Sequence, residues 1–256
     1  MTVPARDSTV IENFERFEFK YWAPPANVDL ALRMLDGHMQ EDEIALRAGA
    51  TQVNTSLYFD SPRFTFLDQH LASSPDRVKL RVRYYGERPS GDCFFEIKRR
   101  QNAVVMKRRA VLSLTEARVL VHDVSSRLPV HNAALEGFQY LALRCSAEPK
   151  LLVRARRQAL RSSEPGVDVR VTVDRDMAWQ PPRGQDPLTP RPERWRTIHG
   201  RDERAWELVE VKFRSARPWW LGSVTQLLSP WRVSFSKYVA AALAARVDPF
   251  FTTDAA

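Results

Sequence analysis

Val78-Lys-Leu-Arg-Val-Arg-Tyr84 and Phe94-Phe-Glu-Ile-Lys-Arg-Arg100 are the stretches that decide the fold. In the first, Val78, Leu80 and Val82 alternate with Lys79, Arg81 and Arg83. In the second, Phe95, Ile97 and Arg99 alternate with Phe94, Glu96, Lys98 and Arg100. Successive side chains of a strand point to opposite faces, so this period of two predicts strands with one apolar and one charged face. The period recurs in both directions along the chain. Asn13–Tyr21 sets Phe17 and Phe19 against Arg16, Glu18 and Lys20, and Val104–Leu112 sets Lys107 and Arg109 against Met106, Arg108 and Ala110. Leu208–Phe213 sets Val209, Val211 and Phe213 against Glu210 and Lys212, and Val169–Val173 alternates with Arg170, Thr172 and Asp174. With Gln52–Asp60 and Pro149–Leu160, about eight strands are expected.

Helices are predicted between them. Asn27 is read as the cap of a helix reaching about Gln40, with Leu30, Met34 and Leu35 on one stripe. Thr115–Leu128 and His131–Cys145 read as a pair broken by Pro129, while Trp219–Leu228 and Ser236–Val247 are shorter candidates and Phe64–Leu71 is ambiguous. The five prolines between Gln180 and Arg196 (Pro181, Pro182, Pro187, Pro190, Pro192) predict a loop or flap. No internal repeat or linker interrupts the chain, so a single domain over 1–256 is expected, its core about 12–247.

Hydrophobic residues make up 44% and charged residues 27%, the balance of a soluble globular protein. A net charge of +8 points to a polyanionic partner, or to an excess spread over a solvated surface. Cys93 and Cys145 are far apart with no CxxC, which argues against a disulfide framework or thiolate zinc site and for a reducing compartment. The opening MTVPARDSTVIENFERFEF has no apolar core of a secretory signal, and no apolar run approaches the ~18 residues of a membrane span, so a cytoplasmic protein without a membrane segment is expected. GxxxxGK[ST] and HExxH are absent, and His38, His70, His122, His131 and His199 are scattered. Trp219 and Trp220 read as helix packing, and Tyr58, Phe59 and Asp60 as a structural strand end.

Same-face neighbours on a strand sit ~7 Å apart, so Lys-x-Arg-x-Arg places cations in a repelling row. Like charges 4 Å apart at an effective dielectric of 20 cost roughly 4 kcal/mol. Two arrangements fit. The charged face can be the solvated side of an ordinary antiparallel sheet, with helices on the other side. Alternatively, the helices cover the apolar face from outside, and the sheet closes around its own charges into a bore wide enough for one ligand. Such a bore needs a polyanion, interspersed carboxylates or metal to be tolerable.

Several segments, in order, resemble the VTC domain, the polyphosphate polymerase branch of the triphosphate tunnel metalloenzymes. They are Arg16-Phe-Glu-Phe-Lys-Tyr-Trp22, Ser56-Leu-Tyr-Phe-Asp60, Lys79-Leu-Arg-Val-Arg-Tyr-Tyr-Gly86, Phe95-Glu-Ile-Lys98, Lys107, Arg170-Val-Thr-Val-Asp174, Val209-Glu-Val-Lys212 and Ser236-Lys-Tyr238. The resemblance implies an α+β fold: a closed antiparallel β-barrel of about eight strands with helices packed outside. It implies transfer of the γ-phosphate of ATP to inorganic polyphosphate, dependent on Mn²⁺ or Mg²⁺, with no specific nucleic-acid partner. Its phosphate-binding residues carry over onto Arg16, Lys20, Arg81, Arg83, Lys98, Lys107, Arg157 and Arg170, its metal-binding glutamate onto Glu210, and the lysine near its last helix onto Lys237. Lys237, Lys98 and Arg83 are the residues expected to act on the transferring phosphate. Two positions depart from the pattern: a usual tyrosine is Ala155, and a second lysine of some relatives is Ser234. Periodicity alone would turn Arg154 and Arg156, rather than Arg157, toward the other charges. Glu18 and Glu96 are expected to balance Lys20 and Lys98, and Asp174 to be structural. A triphosphate hydrolase of the same fold and a non-catalytic polyphosphate-binding module are the competing readings.

Overall fold

Strict alternation of burial runs the length of β4 (Asp76–Tyr85), where Val78, Leu80, Val82 and Tyr84 are buried and the residues between them are not. The sheet it belongs to comes from a computed structural model that describes residues 16–42, 51–102, 104–129, 131–199, 204–214 and 217–246. The other main strands are β1 (Arg16–Ala23), β3 (Gln52–Asp60), β5 (Asp92–Gln101), β6 (Val104–Ser113), β7 (Glu148–Ser162), β8 (Val169–Gln180) and β10 (Glu207–Arg214). All pair antiparallel in the order β1-β10-β8-β7-β3-β4-β5-β6, and the short β2 (Met39–Glu41) and β9 (Arg196–Thr197) add to β7 and β8. The predicted strand at Asn13–Tyr21 begins at Arg16, its first residues lying outside the described part.

The apolar face is convex and carries two cores. Over one half, Leu80, Val82, Phe95, Ile97 and Leu112 pack against α3 (Leu114–His122) and α4 (Ala133–Arg144), with Phe138 of α4 meeting Phe59 and Phe95 edge-on. Over the other half, Tyr21, Val171, Val173, Val209 and Val211 pack against α1 (Pro25–Leu35) and α5 (Trp219–Leu227). Fully burying side chains of this size contributes about 1.5–3 kcal/mol each, enough to fix which face of the sheet turns inward.

Helix ends account for several departures from the sequence reading. α1 begins on Pro25, with Pro24 rather than Asn27 at the cap, and ends at Leu35, because Met39–Glu41 leaves to pair with β7. A proline is tolerated there because the first turn needs no amide donor. α3 starts one residue early on a reciprocal capping box between Ser113 and Glu116, and stops at His122. Asp123 then takes hydrogen bonds from Ser125 and Ser126 and turns the chain away. The ambiguous Phe64–Leu71 resolves as α2 (Thr65–Leu71), with Phe64 in the left-handed region at φ 59°.

Two larger expectations need correction. The sheet curls, but β1 and β6 are the two ends of its pairing path and no ladder joins them among the described residues. Alternation fixes which face is charged, whereas closure depends on strand tilt and stagger, which alternation does not encode. Nor do all helices lie outside. Tyr238, Ala241, Ala242 and Ala245 of α6 (Lys237–Arg246) pack with Trp22, Tyr58, Val153, Ala155, Trp179 and Leu208. Those strand residues share the face of Lys20, Arg81, Arg157 and Glu210, so α6 fills one end of the concavity.

Candidate functional site

The charged half of the concave face is built as cross-strand rungs. Arg81 of β4 lies opposite Glu96 of β5, and Glu96 opposite Arg109 of β6. The buried Glu96 carboxylate collects three guanidinium groups: Arg81 Nε donates at 2.6 Å, Arg83 Nη2 at 2.5 Å and Arg109 Nη2 at 2.6 Å. Burial opposes ionisation of Glu96, but the fields of Arg81, Arg83 and Arg109 outweigh it and hold the carboxyl far below its ordinary value. Arg81 also donates to the Tyr58 hydroxyl at 3.3 Å. The arginines are thereby held side by side on the charged face, an arrangement suited to phosphate oxygens.

Glu210 of β10 is the second centre. It lies opposite Lys20 of β1, and Lys212 Nζ donates to its Oε2 at 2.9 Å. Lys237 Nζ is 3.7 Å and Lys20 Nζ 3.9 Å from Oε1. Burial would raise its pKa, but Lys237, Lys212, Lys20 and Arg157 hold it well below the usual range. Behind it, Asp174 has no solvent exposure and takes a bidentate pair from Arg157 at 2.7 and 2.6 Å, with Lys237 at 2.5 Å. Lys20 also pairs with Glu18 at 3.1 Å and donates to the Phe235 carbonyl.

These centres face one another. The charge of Lys98 on β5 responds to Glu18, Lys20 and Glu210 across the concavity as well as to neighbouring Lys107, and its burial brings its pKa down to about 8. Side chains from both ends of the pairing path therefore share one space, although no backbone ladder closes it.

Of the residues singled out from sequence, Lys20, Arg81, Arg83, Lys98, Arg157, Glu210 and Lys237 lie around this space, and Lys107 sits opposite Lys98 at its exposed rim. Arg170 lies on the same face toward one end, opposite Lys212 and 3.4 Å from Asp42. Arg16 opens β1 opposite Arg214, but its side chain is outside the described part. Arg157 is turned inward, whereas Arg154 and Arg156 point away and share Glu87. Glu96 balances arginines rather than Lys98. Arg109, Lys212 and Lys79 belong to the same face, although the resemblance does not single them out; their period-two phase with Lys107, Glu210 and Arg81 is the signal that places them there. Ala155 is buried two residues before Arg157, on the side that α6 fills, and Ser234 is exposed. Trp220 is buried with His38 stacked on it at 5.1 Å, while Trp219 is 80% exposed and meets His38 edge-on at 5.4 Å.

Among the described residues no group of three His, Cys, Asp or Glu forms a metal cage. Glu210 shares the ammonium groups of Lys20 and Lys212 with Glu18, so two carboxylates stand among these lysines. That donor set fits a hard divalent ion arriving on phosphate oxygens, which takes one or two carboxylates and completes its shell from substrate and water.

Among curated proteins no relative matches. One solved structure, from Bacillus halodurans and provisionally described as an adenylate cyclase, aligns with a TM-score of 0.49 and 13% identity over 87% of this chain and 94% of that one. It is a distant likeness in shape, and no role is taken from it. The family model described as the VTC domain matches residues 15–245, from the first strand to the last helix. The chain belongs to the VTC domain family.

Proposed function

We propose that the chain is a polyphosphate polymerase that transfers the γ-phosphate of ATP to a growing inorganic polyphosphate chain within the concavity. The observation that carries this reading is the convergence of Lys20, Arg81, Arg83, Lys98, Arg157 and Lys237 on a space that also holds the ionised Glu210. Phosphoryl transfer asks little covalent chemistry of a protein; it asks for alignment and for charge placed where oxygens become more negative. Arg81 and Arg83, locked by Glu96, and Lys98 and Lys107 hold the triphosphate, and Lys20, Arg157 and Arg170 extend the cationic lining. Lys237, at the first turn of the helix that fills one end of the concavity, orients the terminal phosphoryl group or the chain end. The acceptor is a phosphate oxygen, so no side-chain nucleophile is needed.

Glu210 holds Mn²⁺ or Mg²⁺ in this reading, with no full cage from the protein. When bound, the ion offsets negative charge on phosphate oxygens. Free Cys93 and Cys145 accord with a reducing, cytoplasmic setting. No helix among the described residues is long and apolar enough to cross a membrane.

The test is direct. Purified protein is incubated with ATP and Mn²⁺ and the products are resolved by gel electrophoresis. Phosphate chains that lengthen with time support polymerisation; ADP and orthophosphate alone would replace it with triphosphate hydrolysis. Glu210→Gln should abolish product formation while the far-ultraviolet circular dichroism spectrum is retained. A fully active Glu210→Gln protein would refute the metal assignment.

A further inference from the structure

Adjacent rungs on the concave face are charged differently. In the Arg81–Glu96–Arg109 rung the protein supplies its own anion. Two residues along, Lys79 lies opposite Lys98, and Lys98 opposite Lys107. Directly opposed side chains on antiparallel strands have Cβ atoms ~4.5–5.5 Å apart, and like charges so placed are destabilising. No ion pair or hydrogen bond engages the ammonium of Lys79 or Lys98 among the described residues. The leading electrostatic influences on Lys79 are all cationic: Lys98 from β5, Lys20 from β1 across the concavity, and Arg81 and Arg77 on its own strand. His70 of α2 also lies within its reach and is itself disfavoured as a cation, its pKa lowered to about 4.

We infer that Lys79 is a further ligand of the phosphate chain, standing beside Lys98 on the concave face and taking the negative charge it lacks from the bound polyanion. The inference rests on the reading of the concave face as a phosphate-chain site. Its consequence is a proton linkage. Burial, then Lys98, Lys20, Arg81 and Arg77, brings the Lys79 pKa down to about 7, so near neutrality the free protein carries it only partly protonated. Phosphate oxygens arriving beside it favour the ammonium form, and Lys79 takes a proton from solvent as the chain binds. The arginine rung has no such response, since guanidinium stays protonated throughout. One rung is therefore a fixed fork, and the other acquires its charge with its ligand.

The experiment titrates tripolyphosphate, without added metal, into the full chain by isothermal calorimetry at about pH 7.5 in two buffers of different ionisation enthalpy, which counts protons taken up. Lys79→Met should lose affinity about tenfold, the equivalent of ~1.4 kcal/mol. Lys79→Arg, which keeps the charge without titrating, should retain affinity but take up measurably less proton than wild type. Circular dichroism confirms that each variant is folded. Unchanged affinity in Lys79→Met, or wild-type proton uptake in Lys79→Arg, overturns the assignment and leaves the phosphate site standing. A wild-type chain that binds no tripolyphosphate overturns both.

Discussion

Glu96 is a carboxylate whose surroundings leave it no alternative to ionisation. It is buried, which by itself favours the neutral acid, yet Arg81, Arg83 and Arg109 all approach within hydrogen-bond distance. Removing one member of a buried ion network leaves the remaining charges unpaired, a loss larger than the net value of the pairs. Glu96→Gln is therefore expected to destabilise the fold by about 3 kcal/mol, the low end for buried pairs because Arg81 and Arg109 retain some access to water. Urea unfolding would measure it. Tripolyphosphate, a substitute anion, should stabilise Glu96→Gln more than it stabilises wild type. Equal stability of the two proteins without ligand would mean that solvent already holds the arginines apart.

At the scale of elements, α6 couples the strand end to the charged space. Tyr238 stacks on Tyr58 at 5.1 Å and donates to the Asp60 carboxylate, which also accepts from the backbone N–H groups of Ser61, Phe66 and Leu67. Tyr238→Phe keeps the ring and removes one donor to a buried carboxylate, a loss of about 1–3 kcal/mol. Thermal unfolding should register that loss, and product formation should fall with it, because Lys237 is the neighbouring residue. An unchanged melting temperature would show that α6 is anchored by its alanines alone.

The strands were legible because a period of two survives in β1, β4, β5 and β10 almost without interruption. Three features were not. Tyr238, Ala241, Ala242 and Ala245 announce a buried helix stripe but not which side of the sheet buries it. The signal for that side is Trp22 and Leu208, apolar residues at positions in phase with Lys20 and Glu210. In β7, Leu151, Leu152 and Val153 are all apolar, so phase cannot be read there, and Arg157 was distinguishable from Arg154 and Arg156 only through the family resemblance. In β8 the phase itself changes. Asp174 and Met177 both face the concavity, separated by a register irregularity at which Asp176 adopts φ 49°. A bulge of this kind reassigns every residue beyond it.

For the whole molecule, concentrating cations on one inward face makes stability depend on pH in a direction opposite to that of ordinary surface lysines. Lys79 and Lys98 have pKa values of about 7 and 8, against 10.5 when unburied. Between those limits the unfolded chain holds protons that the folded chain has released. Stability rises with pH wherever the unfolded state binds more protons. Folding stability should therefore increase from about pH 7 to about pH 8.5. Above pH 9 Cys93 opposes the rise: burial raises its thiol to about 11 from 9.0, so the unfolded chain loses that proton first and the slope becomes shallower. The measurement is a urea midpoint at several pH values below 9, at fixed ionic strength. Lys79→Met should flatten the rise and raise stability at neutral pH, because the repelling ammonium is gone. Saturating tripolyphosphate should abolish the rise or reverse it, since the ligand restores protonation of the folded state. A wild-type midpoint that is flat or falling from pH 7 to 8.5 would mean that the lysine rung is already neutralised in the free protein, and that the concave face is solvated like any other surface.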